Sequence, residues 1–299
     1  MSPRELPSER LMSRVGWTIH SQRAGQVFEE RGQLQWQFIK SLLPEGWMAD
    51  GRRVLDFGCG VGRILLPAVQ ADPGARYWAC DVHEPSIGWL QDALGDRAVI
   101  MHSHEEAPLP LEDERFDLIY AFSVFTHLMD SWSGWLSELH RLLADDGWLI
   151  VTVFGPGHQF FGEEPVGEGD VGMNILYPGN SWDIGGPLIA HAEWWLRAHW
   201  GRAFEIVDLV PGDPGGSPPL FGQSAVVMRK RPGVFGPEAL EAPEPGEPLE
   251  FVAMRNNMLS LRREVLAKQE LYETSLSWRV TSPLRWLAAR LRRRPRRSG

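Results

Sequence analysis

The run Val54-Leu55-Asp56-Phe57-Gly58-Cys59-Gly60-Val61-Gly62-Arg63 constrains this chain more than any other stretch. A short apolar segment closes around an acid, three glycines follow at alternate positions, and Ile64-Leu65-Leu66 starts a new apolar segment. That order reads as a strand feeding a tight turn that opens a helix. Glycine has no Cβ, so such a turn lets a ligand approach the backbone closely. Register then excludes two nucleotide motifs. A dinucleotide fingerprint starting at Gly58 and Gly60 needs its third glycine where Arg63 stands. A phosphate loop needs Gly-Lys followed by Ser or Thr, which is missing. Asp56 would repel a polyphosphate and attract an ammonium group. The expected ligand is a nucleotide-type molecule that carries a positive charge and no phosphates.

The pattern D-x-G-C-G-x-G resembles the first motif of class I S-adenosylmethionine-dependent methyltransferases. The resemblance implies that Asp56, Gly58, Cys59, Gly60 and Gly62 form the cofactor turn. Arg76-Tyr77-Trp78-Ala79-Cys80-Asp81 reads as a second strand ending in an acid, 21 residues after Gly60. A carboxylate at that distance is placed to accept both ribose hydroxyls, and the resemblance assigns Asp81 that role with Val82 beside the adenine. The stretch Leu109 to Tyr120 resembles the family's LPF-x-D-x-x-FD passage, and Glu105, four residues before it, matches an acid that contacts the adenine amino group. Ala121 to Leu128 is a family-like strand exit that brings Phe122 to the cofactor. Leu142 to Val151 read as a helix end, a turn and a fifth strand, with Asp145-Asp146-Gly147 in place of the commoner Lys-Pro-Gly. These matches cover residues 52 to 154. They imply an α/β, Rossmann-like, seven-stranded methyltransferase fold, and S-adenosyl-L-methionine as the cofactor. The fold is expected to carry an N-terminal helical cap and a C-terminal helical tail.

Strand patterns near 53–57, 76–81, 97–101, 116–122 and 147–154 alternate with helical ones. Such alternation predicts a parallel sheet covered on both faces, with ligands at the carboxyl ends of its strands. Four regions are expected: a helical cap over 1–50, a methyltransferase domain over 51–231, a Pro/Glu-rich linker over 232–250 and a basic helical tail over 251–299. In the cap, Gly16, Trp17, His20 and Arg23 either approach the substrate or simply pack. Gly155 to Ala190 is long, irregular and aromatic, with Gln159, Phe160, Phe161, Tyr177, Asn180, Trp182 and Asp183, and reads as a lid over an acceptor. His191 to Trp200 reads as a helix, and 204–207 with 224–228 as a closing strand pair.

Methyl transfer from a sulfonium to a hydroxyl needs orientation, a dry pocket and a base. His127, just past the fourth strand, is the first candidate base, or else it positions the cofactor or caps a helix. Asp183 and His191 are the other candidates. No spacing matches a metal motif.

The net charge of −9 conceals an asymmetry: residues 255–299 hold 12 Lys/Arg and 3 Glu, whereas residues 1–254 hold 18 Lys/Arg and 36 Asp/Glu. The acidic body argues against a nucleic-acid substrate. The two cysteines, Cys59 and Cys80, read as small packing residues. The start lacks the apolar stretch of a signal peptide and no run is long enough to span a bilayer, so a cytoplasmic location is expected.

Met254, Met258, Leu261, Val265 and Tyr272 fall at heptad steps interrupted by Lys268, expected as one helix packing back on the core, with a coiled-coil dimer as the alternative. Ser277-Trp278-Arg279-Val280-Thr281-Ser282-Pro283-Leu284-Arg285-Trp286 resembles an element of bacterial surface-polysaccharide assembly proteins, and Gly222 to Val227 resembles the last strand of methyltransferases encoded with them. Arg285, Trp286, Leu287, Arg290, Leu291 and Arg292 to Arg294 suit an anionic membrane or an acidic partner, or form a solubilising tail. The expected acceptor is a hydroxyl of a sugar or polysaccharide intermediate, or another small molecule. A natural-product O- or N-methyltransferase and a non-catalytic scaffold in polysaccharide assembly are the alternatives, the second disfavoured because Asp56, Gly58, Gly60 and Asp81 are all retained.

Overall fold

The computed structural model describes residues 24–48, 51–111, 116–155, 172–176, 178, 186–213, 215–275 and 280–281. Helix α1 (Ala24–Ser41) precedes β1 (Arg53–Phe57), α2 (Leu65–Ala71), β2 (Arg76–Asp81), α3 (Glu84–Leu94), β3 (Ala98–His102) and β4 (Phe116–Ala121). There follow α4 (Trp132–Leu142), β5 (Leu143–Val153), β6 (Met173–Ile175), β7 (Ile189–His191), α5 (Glu193–His199), β8 (Phe204–Val210), β9 (Ser224–Lys230), α6 (Pro237–Glu241) and α7 (Pro248–Thr274).

Seven strands form one sheet in the order β3-β2-β1-β4-β5-β9-β8. The first five run parallel, and β9 is antiparallel to both β5 and β8. The fold is the mixed seven-stranded Rossmann-like sheet of class I methyltransferases. Central strands covered on both faces must be apolar throughout rather than alternating. In β1, Val54 to Phe57 are all buried, and the buried carboxyl of Asp56 is the exception that marks the site. Order reverses between β1 and β4, the switch point where open α/β sheets leave a crevice.

Two hydrophobic layers sandwich the sheet. One includes Leu55, Phe57, Phe116, Phe125, Leu139 and Trp200. The other contains Phe28, Trp36 and Ile39 of α1 with Leu65 and Tyr77. Helix α1 is tied down at three points. Trp36 Nε1 donates to Asp72 Oδ2 at 2.7 Å, Lys40 pairs with the same carboxylate at 3.0 Å, and the Trp36 ring packs on Tyr77 and Tyr120 at centroid distances of 6.4 and 6.0 Å. Gly32 permits the approach, since a Cβ there would lie 1.9 Å from the Arg63 carbonyl oxygen. The cap helix therefore rests on the end of the glycine turn.

Several expectations are corrected. Strand β5 starts at Leu143 rather than near 147, because Leu143 pairs with Phe116 ahead of a register shift. His191 ends strand β7 and does not start a helix: its amide donates to Phe154 O at 2.7 Å, and α5 begins at Glu193. Inside the irregular stretch, β6 pairs antiparallel with β7. In the expected linker, α6 buries Leu240, the Leu240 carbonyl accepts from His199 Nδ1 at 2.7 Å, and Arg202 donates to three carbonyls of this strap region, those of Ala239, Leu240 and Ala242. This Pro-rich segment is thus strapped to the domain. Helix α7 packs by Glu250 and Ala253, with His199 Nε2 bonded to Glu250 at 3.1 Å.

Gly32→Ala is expected to push α1 off the turn at a cost of about 1–3 kcal/mol, as overpacking does. Differential scanning fluorimetry should show a Tm several degrees lower, and an unchanged Tm would mean that α1 is not seated on Arg63.

Candidate active site

The glycine turn is built by folding the chain after β1 over the end of β2. The amides of Gly58 and Cys59 both donate to Cys80 O, at 2.9 and 3.0 Å, and Gly62 N donates to Cys59 O at 2.8 Å. Gly58 has φ +76°, and a Cβ on it would lie 2.3 Å from Val124 Cγ2. Gly62 also has φ +76°, with Leu90 Cδ2 2.6 Å from where its Cβ would be. Both positions combine a left-handed backbone with a close neighbour, which only glycine satisfies. Asp81 closes the turn from the other side: Oδ2 accepts from Gly60 N and Oδ1 from His83 N, each at 2.8 Å. A carboxylate offers about four lone-pair positions, so Asp81 is fixed in place while keeping capacity for further donors.

Asp56 is 3% exposed. Burial pushes its carboxyl up to about 7, against a hydrogen bond from Tyr120; the Asp81 charge pushes it further up and Arg63 pulls it down. The Tyr120 hydroxyl donates to Asp56 Oδ2 at 3.0 Å across the β1–β4 pair. Arg63 is itself buried, and burial lowers its guanidinium to about 10 while the Asp56 charge opposes that shift. Tyr120 and Arg63 were not read as functional residues from the sequence. Arg63 registered there only as a missing glycine, and the Tyr120–Asp56 contact follows from strand order, which becomes visible only when β4 is placed next to β1.

Beyond β4, Ser123 has φ +61°, a conformation costing a non-glycine residue roughly 1–2 kcal/mol. Two bonds hold it. Its amide donates to Thr152 Oγ1 at 2.7 Å, and its hydroxyl accepts from Gln223 Nε2 at 2.8 Å. Strain held by flanking contacts at a strand exit is a mark of functional sites. Phe122 is buried with its ring edge-on to Tyr120.

His127 Nδ1 lies 2.8 Å from Pro187 O. A carbonyl only accepts, so Nδ1 carries the proton, and in the neutral ring the lone pair resides on Nε2. Burial lowers the pKa of this imidazole, although the Pro187 bond opposes the shift, so the ring is neutral at physiological pH. His191 is different. It is fully buried, with its ring against Trp195 and Trp200 at 5.5 and 5.6 Å, and burial lowers its pKa to about 3. That ring sits in an indole-lined interior and offers no exposed edge to an acceptor.

The structure brings together Asp56, Gly58, Cys59, Gly60, Gly62, Asp81 and Phe122 at adjacent strand ends. Val82 is half exposed beside them, its carbonyl accepting from His102 Nε2 at 3.1 Å. The Glu105 side chain is exposed, and what joins this residue to the domain is its carbonyl, which accepts from Trp135 Nε1 at 2.9 Å. The buried Ser103 in that loop donates its amide to the Asp81 backbone carbonyl at 3.0 Å. Asp183, the rest of the aromatic lid set (Gln159, Phe160, Phe161, Tyr177, Asn180 and Trp182), and Gly16, Trp17, His20 and Arg23 lie outside the described residues.

Residues 27–211, more than half of the chain, match a family model described as a methyltransferase domain. The chain belongs to this family. Among curated relatives, it is 32% identical over 124 residues to malonyl-[acyl-carrier protein] O-methyltransferase of Geobacter sulfurreducens, covering 40% of this chain and 45% of that protein. It is 32% identical over 114 residues to a probable S-adenosylmethionine-dependent methyltransferase of Mycolicibacterium smegmatis, covering 36% and 42%. The chain thus spans less than half the length of these two relatives. Of solved structures, a glycopeptide N-methyltransferase covers 71% of this chain and all of that one with a TM-score of 0.50 at 13% identity, a likeness of fold.

The cofactor of the methyltransferase is S-adenosylmethionine, and the cradle fits it. The backbone turn leaves no room for a Cβ at Gly58 or Gly62, one carboxylate keeps acceptor capacity at Asp81, and a second, at Asp56, ionises near neutrality. No phosphate-binding cation motif is present, consistent with a ligand whose charge is a sulfonium and an ammonium group.

The Asp56 shift sets two pH dependences. Its folded pKa is raised above the ordinary carboxyl value, so the native state holds the proton more tightly than the unfolded chain. Stability from this group therefore falls as pH rises from about 4 to about 7, by a few kcal/mol in order of magnitude, and is flat above. Asp56→Asn is expected to remove that slope in thermal melts of the cofactor-free protein. Calorimetry should show S-adenosylmethionine affinity rising about tenfold per pH unit on approach to about 7 and levelling off above, with the dependence lost in the variant. Parallel profiles in the two proteins would contradict the assignment of a titrating Asp56.

Proposed function

We propose that this methyltransferase transfers a methyl group from S-adenosylmethionine to a hydroxyl of a sugar or polysaccharide intermediate, or of another small molecule, with His127 as the general base. The observation that carries the reaction type is the His127 ring. It is neutral through burial and held by Pro187 so that its basic nitrogen is Nε2. A neutral imidazole past β4 is the group a weakly acidic hydroxyl requires, whereas an amine acceptor that binds unprotonated needs no base.

In this reading Asp81 accepts the ribose hydroxyls, Asp56 pairs with the ammonium group, the Gly58–Gly62 backbone lies along the cofactor, and Val82, Glu105 and Phe122 surround the adenine. The bound sulfonium supplies an activated methyl group. The protein's part is to orient the acceptor oxygen, keep water out and take its proton on His127 Nε2.

The sugar assignment draws on two readings of the sequence: the tail element Ser277 to Trp286 resembles an element of bacterial surface-polysaccharide assembly proteins, and Gly222 to Val227 resembles the last strand of methyltransferases encoded with carbohydrate-assembly enzymes. Gln223 of that strand bonds Ser123 at the strand exit next to the cradle. We place the enzyme in the cytoplasm, peripheral to the inner face of the membrane through the basic segment around Arg285 to Arg294. No described helix is long and apolar enough to cross a membrane. As a natural-product methyltransferase, by contrast, the domain would act on a free small molecule with the tail deleted.

The test is label transfer from radioactive S-adenosylmethionine to panels of glycosides, polysaccharide intermediates and unrelated small hydroxyl and amine compounds. Transfer to glycosides is expected, and transfer confined to amines would overturn the reading. His127→Ala should lower kcat about 100-fold or more, as loss of a general base does, with cofactor affinity unchanged. Asp81→Ala should weaken cofactor binding at least about tenfold, since each lost decade is 1.4 kcal/mol. Unchanged affinity would remove Asp81 from the site.

A further inference from the structure

Arg63 carries a charge that the fold does not pair. The residue is 8% exposed, its Nε is buried without a hydrogen-bond partner, and among the described residues no ion pair reaches its guanidinium. Elsewhere the fold pairs its buried charges. Glu138 accepts from Leu109 N and from Arg141, and Glu250 bonds His199 and the amide of Glu244. Arg63 departs from that pattern, and it cannot escape the cost by losing its proton, since a guanidinium lowered to about 10 is still charged at neutral pH. A buried ion without a counter-charge is strongly destabilising.

Its position says what kind of group would answer it. Arg63 follows Gly62 directly, at the end of the glycine turn, and its carbonyl oxygen is where Gly32 of α1 rests. Asp56 and Arg63 each feel the other's charge, yet no ion pair joins them among the described residues. Arg31 of α1 adds a second positive charge within range of Arg63, its guanidinium lying over the Phe221 ring at 4.6 Å from the centroid. A phosphate would be repelled by Asp56 and Asp81, and a simple cation by Arg63 and Arg31. A ligand that bears an ammonium group and a carboxylate on one carbon suits an acid and a cation that sense each other without touching.

We propose that the Arg63 guanidinium holds the α-carboxylate of S-adenosylmethionine, beside the Asp56 carboxylate that takes the ammonium group of the same amino-acid end. The assignment rests on the cofactor reading given above and supplies the charge which that reading leaves unmatched. Asp56 and Asp81 offer acceptors to the ammonium group and the ribose, and neither can receive a carboxylate. A guanidinium presents its N–H groups as a planar fork that fits a carboxylate through two parallel bonds. Gly32, seated on the carbonyl of the same residue, fixes the backbone from which that fork extends. The position where a dinucleotide motif would have its third glycine thus holds a side chain with a use of its own.

Calorimetry with three ligands tests the assignment. S-adenosylmethionine carries both charged groups, its decarboxylated analogue keeps the ammonium and the sulfonium, and methylthioadenosine lacks the amino-acid end altogether. The wild-type protein is expected to bind S-adenosylmethionine at least about tenfold more tightly than the decarboxylated analogue. In Arg63→Met that preference should vanish, with methylthioadenosine affinity held at the wild-type value. Methionine keeps an apolar stem and removes the unpaired charge, so the Tm of the cofactor-free variant should be no lower than that of the wild type. Arg63→Gln, a second variant, should lose the preference in the same way. A preference retained in both variants, or a wild-type protein indifferent to the carboxylate, would overturn the proposal. Equal weakening of all three ligands together with a lower Tm would also overturn it, by making Arg63 a purely structural residue. Failure of the wild-type protein to bind either S-adenosylmethionine or methylthioadenosine would overturn the cofactor reading itself, and this proposal with it.

Discussion

The hydrogen bond from Tyr120 to Asp56 is the junction on which the rest of the architecture turns. It crosses the β1–β4 pair, where strand order reverses and the crevice opens. Behind it, Tyr120 packs on Trp36 of the cap helix, and Trp36 is bonded to Asp72 at the far end of α2. In front of it, the Asp56 carboxyl faces the charge field of Arg63 and Asp81. A buried carboxyl costs several kcal/mol unless it is neutralised or paired. Cap, sheet and turn together hold one buried carboxyl that ionises near neutrality.

That economy explains why the site could be read so early. Asp56, the three glycines and Asp81 sit within a few residues of strand ends, and their meaning depends on local chemistry: an acid at a strand end, a backbone that only glycine can follow. Parallel strands buried on both faces announce themselves as continuous apolar runs, so β1, β2 and β4 were legible within a residue or so. Contacts between segments distant in sequence were less legible. Arg63 matters through α1, which seats Gly32 on its carbonyl, and Ser123 through Gln223, 100 residues away.

The same distinction separates the strap and the β6–β7 pair from the core. The stretch 232–250 has the composition of a linker, and its prolines do prevent long elements, yet α6 is fixed by groups supplied from elsewhere: His199, Arg202 and Ser133. Composition reports what a segment does without regular structure. It says nothing of what donors a neighbouring surface holds out. Strand β6 is three residues long, too short for a periodic signal, and is completed by β7 on one side and the amide of Asn257, 82 residues away, on the other.

An amide that both donates to and accepts from the same short strand does the work of a neighbouring strand, which is how an edge is protected without adding another segment. Asn257 therefore ties α7 to β6. His199 extends the coupling: one ring nitrogen holds Leu240 of the strap and the other holds Glu250 at the base of α7. Strap, β6 and α7 are joined through two side chains, His199 of α5 and Asn257 of α7. The residues that continue from β7 toward β4 include Ile189, whose amide bonds Thr126 O, and Pro187, whose carbonyl sets the tautomer of His127. Hydrogen bonds thus join α7 to β6, β6 to β7, and the residues at and just before β7 to Thr126 and His127.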